Sequence, residues 1–326
     1  MSEGIRIAVP LELDGSVVAG LDRFARITGL AGSTMGTTWS VRLVAPTDFD
    51  FAGLQRAIET RLLGIVAQMS HWDPTSLLCR FNHAPAGSWI SLPTDFAIVI
   101  AAALDVAERS GGAFDPTIGR LVDLWGFGAT PRTTAPTTAE VEAARKASGW
   151  RRLAFDREAG RIRQPGGLWL DLSGVAKGYA VDAITDLLAK AGISHCLVET
   201  GGEFAGRGMR PDGDPWWVDL ETPPRAAIAP FRTALHQLAV ATSGDYVRGL
   251  HTLDPATGRS VENGVTSVSV LHGSAMMADA WASALTVLGE ERAIGIADTE
   301  RLAVRMITKT AEGAREWISP SLQMML

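Results

Sequence analysis

Cysteine is nearly absent. The chain of 326 residues has two, Cys79 and Cys196, in unrelated surroundings. Neither a disulfide framework nor the paired spacing of a zinc site is present. Both are expected to be ordinary buried thiols. Positive charge is scarce and scattered: 30 lysines and arginines face 36 acids, the net charge is −6, and the densest basic pair is Arg151-Arg152. Broad electrostatic binding to nucleic acid or an anionic membrane is therefore not expected, although a local basic pocket is compatible with that average. No apolar run reaches bilayer length. The longest, 96-FAIVIAAAL-104, lies between Asp95 and Asp105, whereas a spanning helix needs about 20 residues. The opening MSEGIRIAVPLELDGS has early acids and a proline, without a basic n-region, a long apolar stretch or a lipidated cysteine. A cytoplasmic protein without a membrane anchor is the expectation. Also missing are the G-x-x-x-x-G-K-[ST] loop, a G-x-G-x-x-G at a strand–helix turn and H-E-x-x-H. The glycines of 201-GGEFAGRG-208 are too loosely spaced for a dinucleotide fingerprint.

What is present is a well-filled core: 46% hydrophobic residues against 20% charged. No repeat at solenoid periods is visible. Residues 1–25 alternate weakly, as an arm or hairpin would. The stretch 38-TWSVRLVAP-46 alternates as a strand, and in 51–70 Leu54, Ile58, Leu62, Ile65, Val66 and Met69 keep helical spacing. A second helix is expected over 94–110, with Thr94 as N-cap and Gly111-Gly112 as its end. The proline- and threonine-rich 129–138 reads as a loop. Strands are expected at 150–156 and 161–164 around a turn, then at 168–172, leading through Ser173-Gly174 into a helix reaching Leu188. Further strands are expected at 195–200, 216–220 and 237–242, then a helix near 275–289 and a closing strand at 302–307. Strands and helices recur without strict alternation, which points to α+β.

Four stretches carry chemistry. In 171-DLSGVAKGYAVD-182, Ser173 or Gly174 would cap the helix and leave backbone N–H groups facing the turn. Lys177 can add positive charge for phosphate oxygens, and Asp171 can accept a hydrogen bond or help hold a metal; an internal Asp–Lys pair is the plainer reading. In 278-ADAWAS-283, Asp279 and Ser283 share a helix face and form a hard oxygen site suited to Mg²⁺, unless Ser283 simply bonds back to the Asp279 carbonyl. The hydroxyls of 242-TSGDY-246 precede His251, which is either structural or able to deprotonate an attacking hydroxyl. In 111-GGAFDPTIGRLVDLWGFG-128, Phe114 beside Asp115 suits a flat heterocycle, or else plugs the core together with Trp125. Trp72, in 69-MSHWDPTSLLCRFN-82, is a similar case.

Taken in order, these blocks, with 33-STMGTTW-39, 200-TGGEFAGRG-208, 251-HTLDPATG-258 and 278-ADAWASALTVLG-289, resemble the ApbE-type flavin transferases, the FAD:protein FMN transferases. The resemblance covers roughly residues 30–290. It implies one compact α+β unit of mixed sheet and helices over 30–326, with room for a two-lobed form and a flavin cleft between the lobes, after an arm or hairpin over 1–29. It implies Mg²⁺-dependent splitting of FAD: a threonine or serine hydroxyl of an acceptor flavoprotein attacks the FMN phosphorus, AMP leaves, and FMN stays as a phosphoester. By resemblance, Met35, Trp72, Ala113, Phe114, Asp115, Asp171, Lys177 and Thr252 match flavin-nucleotide positions. Asp279 and Ser283 match side-chain metal ligands, Gly174 gives a backbone carbonyl, and His251 assists deprotonation of the acceptor. Ser283 stands where threonine is usual. Ala282 replaces a second acid found in some members, and the lipoprotein signal of many relatives is missing. Two other activities fit the same residues: a Mg²⁺-dependent FAD pyrophosphatase, and a non-catalytic FAD-binding protein.

Overall fold

The computed structural model describes residues 4–10, 15–224, 226–244, 251–311 and 313–326. Its centre is an eight-stranded sheet whose strands lie side by side in chain order: Ile27–Thr34, Thr37–Val44, Cys196–Thr200, Glu203–Arg207, Leu238–Gly244, Val265–His272, Ala303–Thr310 and Gly313–Ile318. Every neighbouring pair is antiparallel. The sheet is thus a meander into which helices are inserted, and the architecture is α+β in one unit.

Helices cover one face. Phe51–Met69 buries Leu54, Ile58, Leu62, Ile65 and Met69, the stripe expected from its spacing, and Asp50 caps its start by accepting from the Gly53 N–H at 2.8 Å. Each such side chain taken from water contributes about 1.5–3 kcal/mol. Ala176–Lys190 and Ala275–Leu288 pack against each other and against the central strands. The opposite face carries a small sheet formed by Arg6–Ala8, Phe231–Leu235 and Trp216–Leu220. Side-chain alternation splits the central strands accordingly: Val198, Ala239, Ala241 and Val270 join the helical core, and Leu197, Val240 and Leu271 join the cluster under the small sheet. With both faces covered, these strands read as apolar runs, not as alternating ones.

Several local expectations need correction. The residues expected to form an arm or hairpin include a strand, Arg6–Ala8, that pairs in parallel with Phe231–Leu235, a strand not foreseen. The stretch 168–172 is extended but bears only an isolated bridge, Ile118 to Trp169. Side-chain amides take over its backbone groups: Asn82 brackets Leu170 through N–H and C=O at 2.7 and 3.1 Å, and Gln164 does the same for Leu168 at 3.1 and 2.9 Å. Residues 150–152 form a 3-10 turn before the strand Ala154–Asp156, which pairs with Arg161–Arg163 as expected. The loop expected to reach 138 ends there, because a helix Thr138–Ala147 begins, closed by a capping box between Thr137 and Glu140. Both cysteines are buried and free, as expected. Among the described residues, no helix is long and apolar enough to cross a membrane.

Candidate active site

The site begins where the helices Ala176–Lys190 and Ala275–Leu288 touch. At Gly178 a Cβ would lie 2.3 Å from the Ala275 carbonyl oxygen, so only glycine lets the two backbones meet there. A second tie fixes the same junction: Asp182 accepts from Ser274 Oγ and from the Ala275 and Met276 N–H groups at 2.6–3.0 Å. One turn further, Asp279 Oδ2 accepts from the Gly178 N–H at 3.1 Å. The positive end of one helix therefore faces a carboxylate carried by the other.

The expected cap is corrected in detail. Val175, not Ser173 or Gly174, is the N-cap, and it makes no side-chain cap. Ser173 instead donates through N–H and Oγ to Asp171 Oδ1 at 2.7 and 2.5 Å. Lys177 is the second residue of the helix, and its ammonium is ion-paired with Glu203.

A cleft of about 310 Å³ opens over this junction. Its lining includes Ala113, Phe114 and Asp115, then Asp171, Gly174 and Lys177, Asp279 and Ser283 from the helix Ala275–Leu288, and His251 and Thr252. Of the residues singled out in the sequence, these come together; Met35 and Trp72 do not line the cleft. Met35 sits at the tip of the hairpin between the first two strands, with φ +50° beside Gly36 at +71°, the geometry of a type I′ turn. The next residue, Thr37, reaches the site's edge, its Cγ2 lying 3.0 Å from where a Cβ on Gly201 would be. Trp72 is 62% exposed and stacks at a tilt on His71. His71 Nδ1 lies 3.7 Å from Asp171 Oδ2, so Trp72 borders the cleft only through its neighbour.

Gly174, Ser283 and Phe114 crowd one point. A Cβ on Gly174 would lie 3.0 Å from Ser283 Oγ and 3.2 Å from the Phe114 ring. Ser283 does not bond back to Asp279, although Thr286 on the same helix bonds back to the Ala282 carbonyl at 2.8 Å. A buried carboxylate, a hydroxyl one turn on and a backbone carbonyl beside it make a small set of hard oxygen donors, which fits Mg²⁺.

Burial pushes the Asp279 carboxyl up, with Lys177 and the Gly178 N–H opposing. Glu203 is also raised by burial, with Lys177 opposing and Asp279 reinforcing. Asp115 is raised by burial too, against hydrogen bonds from Thr117 and the Trp150 N–H. Both Asp115 oxygens are engaged, Oδ1 by Thr117 and Oδ2 by Trp150 at 3.1 Å, so this acid first braces its own loop. His251 lies edge-on to Phe127, centroids 6.5 Å apart. Trp125 donates to the Gly258 carbonyl at 2.8 Å and packs with Leu121, Val141 and Leu253; Leu253 lines the cleft, and Trp125 does not. Asp245 and Tyr246 of the hydroxyl-rich stretch lie outside the described residues.

Two cleft acids, Glu203 and Glu221, were not singled out from the sequence. Glu203 had one readable signal: a charged residue directly after Gly201-Gly202 at the mouth of a strand.

Residues 35–307 match the ApbE family. The chain is 36% identical to the FAD:protein FMN transferase of Vibrio cholerae, over 95% of this chain and 96% of the relative. It is 35% identical to that of Salmonella typhimurium, over 91% and 89%. The solved flavin transferase ApbE from Vibrio cholerae superposes with a TM-score of 0.87 over 93% of this chain and all of that one. The apo flavinyl transferase ApbE of Pseudomonas stutzeri gives 0.86 at 33% identity, over 92% and 97%.

Proposed function

The chain belongs to the ApbE family, and from that premise we propose that it is a FAD:protein FMN transferase acting on a threonine or serine hydroxyl of an acceptor flavoprotein. The observation that carries this reading is the convergence of Lys177, Asp279, Ser283, Gly174, Phe114 and His251 on one cleft from four separate parts of the chain.

The proposed reaction uses those residues as follows. FAD enters as substrate, with Phe114 and Ala113 as the apolar wall for its ring and Lys177 directed at its pyrophosphate. Asp279, Ser283 and the Gly174 carbonyl would hold Mg²⁺, which offsets charge on the phosphates when bound. Among the described residues lining the cleft, five are acids and one is a lysine, surroundings in which a bound cation eases the entry of an anionic pyrophosphate. The acceptor hydroxyl oxygen attacks the FMN phosphorus, and its proton passes to a ring nitrogen of His251. A new P–O bond to the acceptor forms, the P–O bond to AMP breaks, and AMP leaves. Proton removal of this kind contributes about 10²–10⁴-fold, and positioning supplies much of the remainder.

AMP release from FAD tests the reading. With Mg²⁺ present, release is expected to rise with acceptor concentration, to stop on chelation, and to stop in a folded Asp279→Ala variant. AMP formed at one rate regardless of acceptor would replace the transferase with a pyrophosphatase. FAD binding without any AMP would leave a flavin-binding protein.

A further inference from the structure

Glu203 has no part in the scheme above, yet it is among the most buried charged side chains of the cleft, 2% exposed. It opens the strand Glu203–Arg207, directly after Gly201 and Gly202, whose φ values are +59° and +96°. That turn brings the wall close to Lys177: a Cβ on Gly201 would lie 3.4 Å from Lys177 Cδ. The lysine stem thus runs along a glycine, and its ammonium meets Glu203 Oε1. The other oxygen, Oε2, is buried and has no hydrogen-bond partner among the described residues, in a residue that lines the cleft.

A purely structural carboxylate would have both oxygens satisfied. It would also avoid this position, since burial and the nearby Asp279 both disfavour its charge, and an apolar residue would fill the space at lower cost. What Glu203 supplies is orientation. A lysine ammonium on a four-carbon stem samples many rotamers, and a fixed one acts on a developing charge without reorganising.

We propose that Glu203 is a positioning residue for the transfer, clamping Lys177 against Gly201 so that the ammonium stands fixed at the pyrophosphate, with its second oxygen left to the ligand side of the cleft. The inference rests on the transferase reading and concerns how that site is preorganised.

The test is a double-mutant cycle on kcat for FAD with Mg²⁺ and acceptor, using Glu203→Gln, Lys177→Met and the pair. Glu203→Gln is expected to lower kcat by about 10- to 100-fold with KM for FAD within about 3-fold, the pattern of an interaction realised in the transition state. The double variant should lie within about 3-fold of Lys177→Met alone, because two residues acting as one unit are not additive. Glu203→Asp, which keeps the charge, should recover part of the loss. The melting temperature should stay within about 3 °C of the parent, since the pair contributes little net stability. Wild-type kcat in Glu203→Gln, or losses that multiply in the double variant, would overturn the proposal. An inactive parent chain would sink the transferase reading itself, so the two failures are separable.

Discussion

At Gly178 one hydrogen atom decides the geometry of the Asp279 side of the cleft. Replacing it with a methyl would put carbon 2.3 Å from the Ala275 carbonyl oxygen and 2.7 Å from Met276 Cα, both backbone atoms that cannot swing away. Gly178→Ala is expected to part the two helices, move Asp279 off the Gly178 N–H, lower the melting temperature, and slow FAD cleavage at least about 10-fold, as small misplacements of a site do. Gly64 is the control. It lies inside the helix Phe51–Met69, and a Cβ there meets nothing within 4 Å, so Gly64→Ala should stabilise by about 0.5–1 kcal/mol. Thermal unfolding and AMP release of the two variants check both signs. The sequence shows two similar glycines; what separates them is a contact almost a hundred residues away, which no local pattern carries. Asp279, Ser283 and Lys177 were singled out through the order in which their blocks occur, each having a plainer structural reading when taken alone, and the fold brings all three to one cleft. Glu203 had only its place after Gly201-Gly202 to mark it, because its partner comes from another element.

Asp95 joins three helices. It accepts from Arg61 at 2.8 Å and from Tyr179 Oη at 2.6 Å, and Arg61 also reaches Tyr179 at 3.1 Å. The Arg61 hydrogen bond, with smaller help from Tyr179, lowers the Asp95 carboxyl from 3.8 to about 2. A depressed carboxylate stabilises the fold above its unfolded pKa and loses that contribution as pH falls through the folded value. The melting-temperature gap between the parent and Asp95→Asn should therefore be constant above about pH 5, narrow below about pH 4 and close near about pH 2. A gap that widens on acidification would refute the tie. The solvated rim of this network limits its size. At this scale the long helices were readable from period alone. The helix Thr138–Ala147 had a readable signal too, threonine three residues before glutamate, but the proline-rich run in front of it favoured a loop. The stretch 168–172 misled because its apolar alternation is real, while Asn82 and Gln164 take the backbone groups a neighbouring strand would have used.

Across the whole molecule, the meander explains how distant segments meet. Its central strands run side by side, so the turn after Thr200, the end of the strand Leu238–Gly244 and the helix start at Ala176 all open toward one cleft. The α+β class was legible from the uneven recurrence of strands and helices. The strand order was not, because register between strands is set by pairing over long separations. The small sheet that seals the far face was only partly foreseen: Trp216–Leu220 read as a strand, while its partner Phe231–Leu235, and Arg6–Ala8 on that strand's other side, did not. Of the expected site, Met35 and Trp72 stand outside the cleft, one on a hairpin tip and the other on an exposed loop, each tied to it through one neighbour.

On the proposed function, this cleft hands FMN to a hydroxyl of another protein instead of to water. The most direct measurement is the mass of an acceptor domain, and of the flavin products, after incubation with FAD and Mg²⁺ in heavy-oxygen water. An acceptor heavier by FMN, unlabelled at the phosphorus and unmodified when its threonine is replaced by alanine, is the predicted result. An unmodified acceptor alongside free FMN carrying one heavy oxygen would contradict it.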